Sequence, residues 1–326
     1  MARPTINRAF CVAPMLDCTD RHARYLQRLI SARALLFTEM VTTGAILFGD
    51  KARHLDFDSS EHPVALQLGG SEPEAMSECA AIAEQWGYDE VNINVGCPSD
   101  RVQSGAFGAC LMQTPQIVAD NIVAMRAKCS LPVTVKCRIG VDEQEPREAL
   151  WQLVSMCADA GCETFYVHAR KAWLKGLSPK QNRDIPPLDY ELVYKLKEDF
   201  PQLEIILNGG INSLDEAQLH LDQVDGVMLG REFYANPFIL NEVDDLFFGV
   251  QGTQKTRDEV LQAFYAYAIQ ELEKGTRLNH ITRHAVGLYQ GEPRSRLWRR
   301  HLSENAHRRE STADVLLDAH RAMVHA

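Results

Sequence analysis

Pro132-Val-Thr-Val-Lys-Cys-Arg138 is a short β-favouring run that opens apolar and closes on cationic side chains. Its length suits a strand and is too short for a packed helix. Moving outward, similar runs occur at Phe10–Met15, Ala34–Met40, Pro63–Leu68, Glu90–Val95, Thr164–His168, Glu204–Asn208 and Gly226–Leu229, making eight in all. Amphipathic stretches lie between them. After the third run Met76, Cys79, Ala80, Ala83 and Trp86 recur at helical spacing and Gly87 ends the pattern; Leu150, Val154, Cys157, Ala158 and Gly161 repeat it after the fifth. Ser71 with Glu74, and Ser213 with Glu216, have capping-box spacing, and Thr114-Pro115 and Asn236-Pro237 place a cap residue before proline. Alternating strands and helices predict parallel pairing, and eight strands are what a closed (β/α)8 TIM barrel needs.

The alternation stops near Phe248. Gly249-Val-Gln-Gly-Thr253 reads as a linker, and everything after it reads as helix. The expected organisation is therefore a barrel domain over 1–248 and a smaller all-helical domain over 249–326. A chain of 326 residues with 45% hydrophobic content suits both. No apolar run approaches the roughly 18 residues that cross a bilayer, so no membrane partner is expected. The polar stretch Met1–Arg8 runs straight into an apolar strand, unlike a secretory signal. Nine scattered cysteines without a CxxC pair fit a reducing cytoplasm and exclude a disulfide frame or zinc knuckle, so no metal is expected. A monomer is the favoured assembly.

The net charge of −10 at first argues against a nucleic-acid partner, but the charge is uneven. From Thr276 to Ala326 nine Arg face five Asp or Glu, an excess of four positive charges that leaves −14 for the rest. An acidic body with a basic tail predicts a localised contact with a polyanion.

In barrels of this type, reactive groups gather at the carboxyl ends of the strands. Those ends carry Pro14 and Met15, Gln67, Asn92 and Asn94, Lys136 and Arg138, His168, Asn208-Gly209-Gly210 and Gly230-Arg231. The last two groups follow the seventh and eighth runs, where bare backbone amides and an arginine make the usual barrel site for phosphate. An inward Lys136 needs an anionic partner, since burying it unpaired is costly. A reduced flavin, negative near N1 and the C2 carbonyl, would supply one; Gln67 would read the neighbouring ring edge and His168 the ribityl chain or phosphate. Cys11, Cys79, Cys129 and Cys157 read as small buried hydrophobes. Cys97 differs, because Gly96 and Pro98 set it in an exposed turn at the mouth. An ordinary thiol, with a pKa of about 8.5, stays mostly protonated at neutral pH and can donate a proton.

Taken in order, Ala13-Pro14-Met15, Asn92-x-Asn-x-Gly-Cys-Pro98, Lys136-Cys-Arg-Ile-Gly140, His168-Ala-Arg170 and Asn208-Gly-Gly210 resemble the tRNA-dihydrouridine synthases, over nearly the whole chain. Residues 169–179, Ile281-Thr-Arg-His284 and the stretch Arg299–Asn305 resemble the A subfamily. The resemblance implies FMN as cofactor and NADPH as a transient reductant, in keeping with the lack of a GxGxxG fingerprint. It implies that Pro14 and Met15 lie against the flavin and that Gln67 and Lys136 meet the ring edge. His168, Asn208, Gly209, Gly210, Gly230 and Arg231 would hold the ribityl phosphate. Hydride would pass from N5 to C6 of a D-loop uridine at position 20 or 20a, Cys97 would protonate C5, and Asn94 would touch the target nucleotide. Lys180 and Arg183 in the loop after the sixth run, and Arg296 and Arg299 in the helical domain, would contact the tRNA backbone. Two other readings stand beside this one. A flavin barrel acting on free pyrimidines shares the phosphate site but has no use for the basic tail. A barrel that only binds RNA has no use for Lys136 or Cys97.

Overall fold

The computed structural model describes residues 6–99, 102–103 and 105–325; residues 1–5 and Asp100, which follows the Cys97 turn, lie outside them. The strands are β1 (Phe10–Val12), β2 (Leu36–Thr42), β3 (Val64–Gly69), β4 (Glu90–Val95), β5 (Val133–Arg138), β6 (Thr164–His168), β7 (Glu204–Asn208) and β8 (Gly226–Leu229). They form one parallel sheet in the order β1-β8-β7-β6-β5-β4-β3-β2. A parallel bridge between Cys11 and Leu35 closes the ring, with Val12 N–H donating to Leu35 O at 2.9 Å and Leu35 N–H to Phe10 O at 3.1 Å. The (β/α)8 barrel is thus observed. β1 stops short of Met15 because Ala13 N–H makes the last bond, 2.7 Å to Leu229 O, and Pro14 has no amide to continue the ladder.

Inward-facing residues recur at every second position. Cys11, Ala13, Leu35, Phe37, Ala65, Tyr166, Ile206 and Met228 form an apolar cluster, with Phe37 and Tyr166 edge to face at 5.1 Å. Against it stands a polar sector from β3, β4 and β5 that includes Gln67, Asn92 and Thr134, all buried. Outer helices of this unit include Pro73–Trp86, Pro115–Lys128 and Pro146–Asp159, each opened by proline as its first residue. The expected Ser71 box is not made: Glu72 is the cap residue before Pro73 and no side chain caps that helix. Ser213 does cap its helix, accepting from Glu216 N–H at 3.1 Å. Thr114 and Asn236 precede their prolines without a side-chain cap bond.

The chain divides into two compact units, one of Met1–Leu16 and Leu35–Leu229, the other of Asp17–Ala34 and Gly230–Ala326. This differs from the expected boundary at residue 248. The helix Arg21–Ile30, which stands between β1 and β2 in the chain, belongs to the second unit. Tyr25 stacks on Tyr267 at 3.8 Å between ring centroids, and His22 Nδ1 lies 2.7 Å from the Tyr267 hydroxyl. Buried Asp244 accepts from Ser31 Oγ at 2.6 Å, Ala32 N–H at 2.7 Å and Arg33 N–H at 3.1 Å. Gly249, with φ of 66°, is a left-handed cap on the helix Val243–Phe248, a turn inside this unit. The longer helices beyond it are Arg257–Glu273, Ser295–Asn305 and Asp314–Val324. Among the described residues no helix is long and apolar enough to cross a membrane.

Candidate active site

The carboxyl ends of β3 to β7 bring Gln67, Asn94, Lys136, His168 and Asn208 to one mouth of the barrel. Asn94 is in register with Lys136, Arg138 with His168, and His168 with Asn208. Lys136 Nζ donates to Asn208 Oδ1 at 2.9 Å. The Asn208 amide is fixed in that sense because its Nδ2 donates to Met228 O at 2.6 Å. Among the described residues no carboxylate pairs with Lys136. Burial, and then the Arg138 charge, push the amine down from 10.5 to about 8.

Beside it lies the double glycine. Gly209 has φ of 113° and Gly210 φ of 75°, conformations that L side chains rarely take. A Cβ on Gly209 would sit 3.1 Å from the His168 ring; one on Gly210 would overlap Leu188 and come within 2.9 Å of the Tyr190 hydroxyl. Tyr190 in turn donates to Gly209 O at 2.7 Å. The backbone here is bare and rigidly placed, which is what a phosphate cradle requires. Pro14 and Met15 follow β1, half-buried.

Cys97 is half-buried in the turn leaving β4. Asn94 Oδ1 accepts from Cys97 N–H at 2.9 Å and from Gly96 N–H at 3.1 Å. Ala109 N–H donates to Cys97 O at 2.9 Å; the close approach relies on Gly108, whose Cβ would lie 2.7 Å from that same oxygen. Sγ faces Ser99 Oγ at 3.5 Å. Burial pushes the Cys79, Cys137 and Cys162 thiols up to about 12. Cys11 and Cys157 are buried as expected, whereas Cys129 is only half-buried.

Arg138, at the end of β5, is a tie between loops. It is 4% exposed and donates to Gly96 O at 3.2 Å, Lys171 O at 3.1 Å and Asn182 O at 2.8 Å. Burial, with the Arg183 and Arg170 charges, lowers it from 12.5 to about 10. Asn182, fully buried, organises the loop after β6: its Oδ1 accepts from Trp173 N–H at 2.7 Å and its Nδ2 donates to Trp173 O at 2.9 Å. No local pattern marks Arg138, because its partners lie in the loops after β4 and β6, and Asn182 bonds residues up to nine positions away in an irregular loop.

The remaining expected residues lie on the following elements. Lys180 and Arg183 are exposed at the 3-10 turn Gln181–Arg183 of the first unit. Gly230 and Arg231 begin the second segment of the second unit, at the start of the helix Arg231–Ala235. Arg296 and Arg299 are exposed on Ser295–Asn305, whose Trp298 and Leu302 are buried. Arg300 is also exposed, 4.0 Å from Glu304.

Residues 11–324 match the family model described as Dihydrouridine synthase (Dus). The chain is 56% identical over 309 residues to the tRNA-dihydrouridine(20/20a) synthase of Vibrio cholerae, covering 94% of each chain. It is 58% identical over 308 residues to the protein of that name from Escherichia coli K12, covering 94% of this chain and 89% of that one. Against the Shewanella oneidensis counterpart the identity is 54% over 318 residues, or 98% and 95% of the two chains. Among solved structures, morphinone reductase superposes with a TM-score of 0.53 at 14% identity, over 77% of this chain and 88% of that one. A 2-naphthoyl-CoA reductase complex gives 0.57 at 11% identity, over 73% and 50%. At such identities these two structures speak for the fold alone.

Proposed function

This chain belongs to the dihydrouridine synthase family, and we propose that it reduces the C5–C6 bond of uridines 20 and 20a in the D-loop of tRNA, with FMN as cofactor and NADPH as reductant. The observation that carries the cofactor assignment is Lys136: a cation held at the mouth with Asn208 as its partner and no acidic one among the described residues. The bare double glycine beside it fits a phosphate, so the residues present suit the group. FMN, when bound, supplies the hydride for C6.

The chain's own side chains do the rest. Lys136 would face the flavin's polar ring edge as a cation, and Asn208 aims its amine. The Gln67 amide would offer a donor and an acceptor to the ring's polar edge, while His168, Asn208, Gly209 and Gly210 would hold the ribityl phosphate. Cys97 holds the proton destined for C5, and Asn94, which fixes its turn, is within the same mouth to touch the nucleotide. Such a base must leave its stack, an extrusion that is easier from a loop than from a duplex. Lys180 and Arg183 on the first unit, and Arg296 and Arg299 on the second, supply exposed cations for the tRNA backbone. A tRNA substrate fits an enzyme of the cytoplasm.

Mapping dihydrouridine in tRNA from cells lacking this protein tests the assignment. The modification should disappear at positions 20 and 20a and return when the gene is restored. Unchanged levels at both positions, or loss at other positions only, would contradict it.

A further inference from the structure

We infer that Glu90, Asn92 and Thr134 form a positioning relay that fixes, from the barrel floor, which way the amides of Gln67 and Asn94 face. The inference rests on the reading of Gln67 and Cys97 given above. β4 places Glu90, Asn92 and Asn94 two residues apart on one face, and the neighbouring strands set Gln67 and Thr134 in register with Asn92. All are buried: Glu90 and Asn92 at 0%, Gln67 and Thr134 at 1%, and Asn94 at 9%.

Glu90 is held at the floor by Arg8, whose Nη2 lies 2.6 Å and Nε 2.9 Å from Oε2. Its other oxygen accepts from Thr134 Oγ1 at 2.6 Å and from the Tyr166 hydroxyl at 2.9 Å. A carboxylate only accepts. The Thr134 hydroxyl therefore gives its one proton downward and must accept from above, from Asn92 Nδ2 at 2.9 Å. That turns Asn92 Oδ1 toward Gln67 Nε2, 2.8 Å away. Gln67 Oε1 is then left to accept from Asn94 Nδ2 at 2.8 Å. Asn94 Oδ1 finally takes the main-chain N–H groups of Gly96 and Cys97.

Both ends of this series are irreversible, since one is a carboxylate and the other a pair of backbone donors. Flipping any one amide would set oxygen against oxygen and N–H against N–H in a buried, low-dielectric interior, where an unmade hydrogen bond is costly. The amide assignment is therefore fixed by chemistry at both ends. An apolar filling would suffice to close a barrel. A polar file that starts at an ion pair and ends at the Cys97 turn instead determines where Gln67 keeps its free donor and acceptor, and how the Cys97 turn is anchored.

The test compares the holoenzyme with Thr134→Val, which keeps the shape and deletes the hydroxyl, and Thr134→Ser, which keeps the hydroxyl. FMN affinity is read by flavin fluorescence titration, and amide hydrogen exchange is read at Gly96 and Cys97. The valine variant should bind FMN about tenfold more weakly, the worth of one or two buried hydrogen bonds, and exchange the Cys97 amide faster by a similar factor; the serine variant should match the parent. FMN affinity and Cys97 exchange both within about twofold of the parent in a folded Thr134→Val protein would overturn the relay, whatever its effect on Tm. Should Thr134→Val not fold, Thr134→Ala, which removes atoms without adding any, is judged by the same two readings. A parent protein that takes up no FMN would refute the cofactor assignment, while the exchange arm would still decide the relay.

Discussion

Lys136 carries the electrostatics of the mouth, and its titration has a definite sign. Its folded pKa of about 8 lies below the ordinary 10.5. Above pH 10.5 the amine is neutral whether folded or unfolded; below about 8 it is charged in both states and burial penalises the folded one. This residue alone therefore makes stability rise with pH between those two values. An anionic ligand prefers the charged amine, so its binding should be tightest below pH 8 and weaken as pH rises through that value. Lys136→Met should weaken FMN binding by about tenfold or more, as expected for a lost charged hydrogen bond, and flatten the pH dependence in that window. A variant that keeps the parental slope would place the titrating group elsewhere. Gly210 offers a second check: Gly210→Val forces a side chain onto Leu188 at a left-handed φ of 75°, and should cost FMN retention as well as stability.

At the level of elements, the second unit depends on a junction between distant segments. Asp244 is 2% exposed and takes three hydrogen bonds from residues 31–33. Asp244→Ala leaves the buried Ser31 hydroxyl without its acceptor and should destabilise the unit by about 1–3 kcal/mol, the cost of one buried group left unsatisfied. Denaturant unfolding, with amide exchange in the helix Arg21–Ile30, measures it; unchanged protection of that helix would count against the pairing. The same junction explains what the sequence left unread. β4, β6, β7 and β8 match their expected ends because short β-branched runs bounded by turn residues are local signals. The unit boundary was not legible: the bonds joining Ser31 to Asp244 span more than 200 residues. Ser71 has box spacing, yet Pro73 starts the helix and makes Glu72 the cap residue, so a correct spacing pointed one residue too early. At the site, Gln67, Lys136 and Asn208 were legible as polar strand ends. The alternation Glu90-Val-Asn92-Ile-Asn94 was visible too, but its meaning lay in Thr134, on the next strand.

For the whole molecule, the net charge of −10 combines with a local surplus of arginine after Thr276. Arg296 and Arg299 are exposed while Trp298 and Leu302 anchor the same helix, so replacing the arginines spares the packing. Arg296→Ala with Arg299→Ala should weaken tRNA binding and reduce the slope of log K against log salt by about 1 for each cation. Binding across a salt series checks this, and an identical slope would remove this helix from the RNA surface.

On the proposed reading, the mouth of the barrel pairs a bound flavin with Cys97 as the proton donor to C5. Single-turnover reduction of tRNA by the pre-reduced enzyme tests it most directly, comparing the parent with Cys97→Ala. The variant should hold FMN and accept electrons from NADPH at the parental rate, yet form dihydrouridine at least about a hundredfold more slowly, the lower bound for loss of a general acid. Parental rates of dihydrouridine formation in that variant would contradict the account.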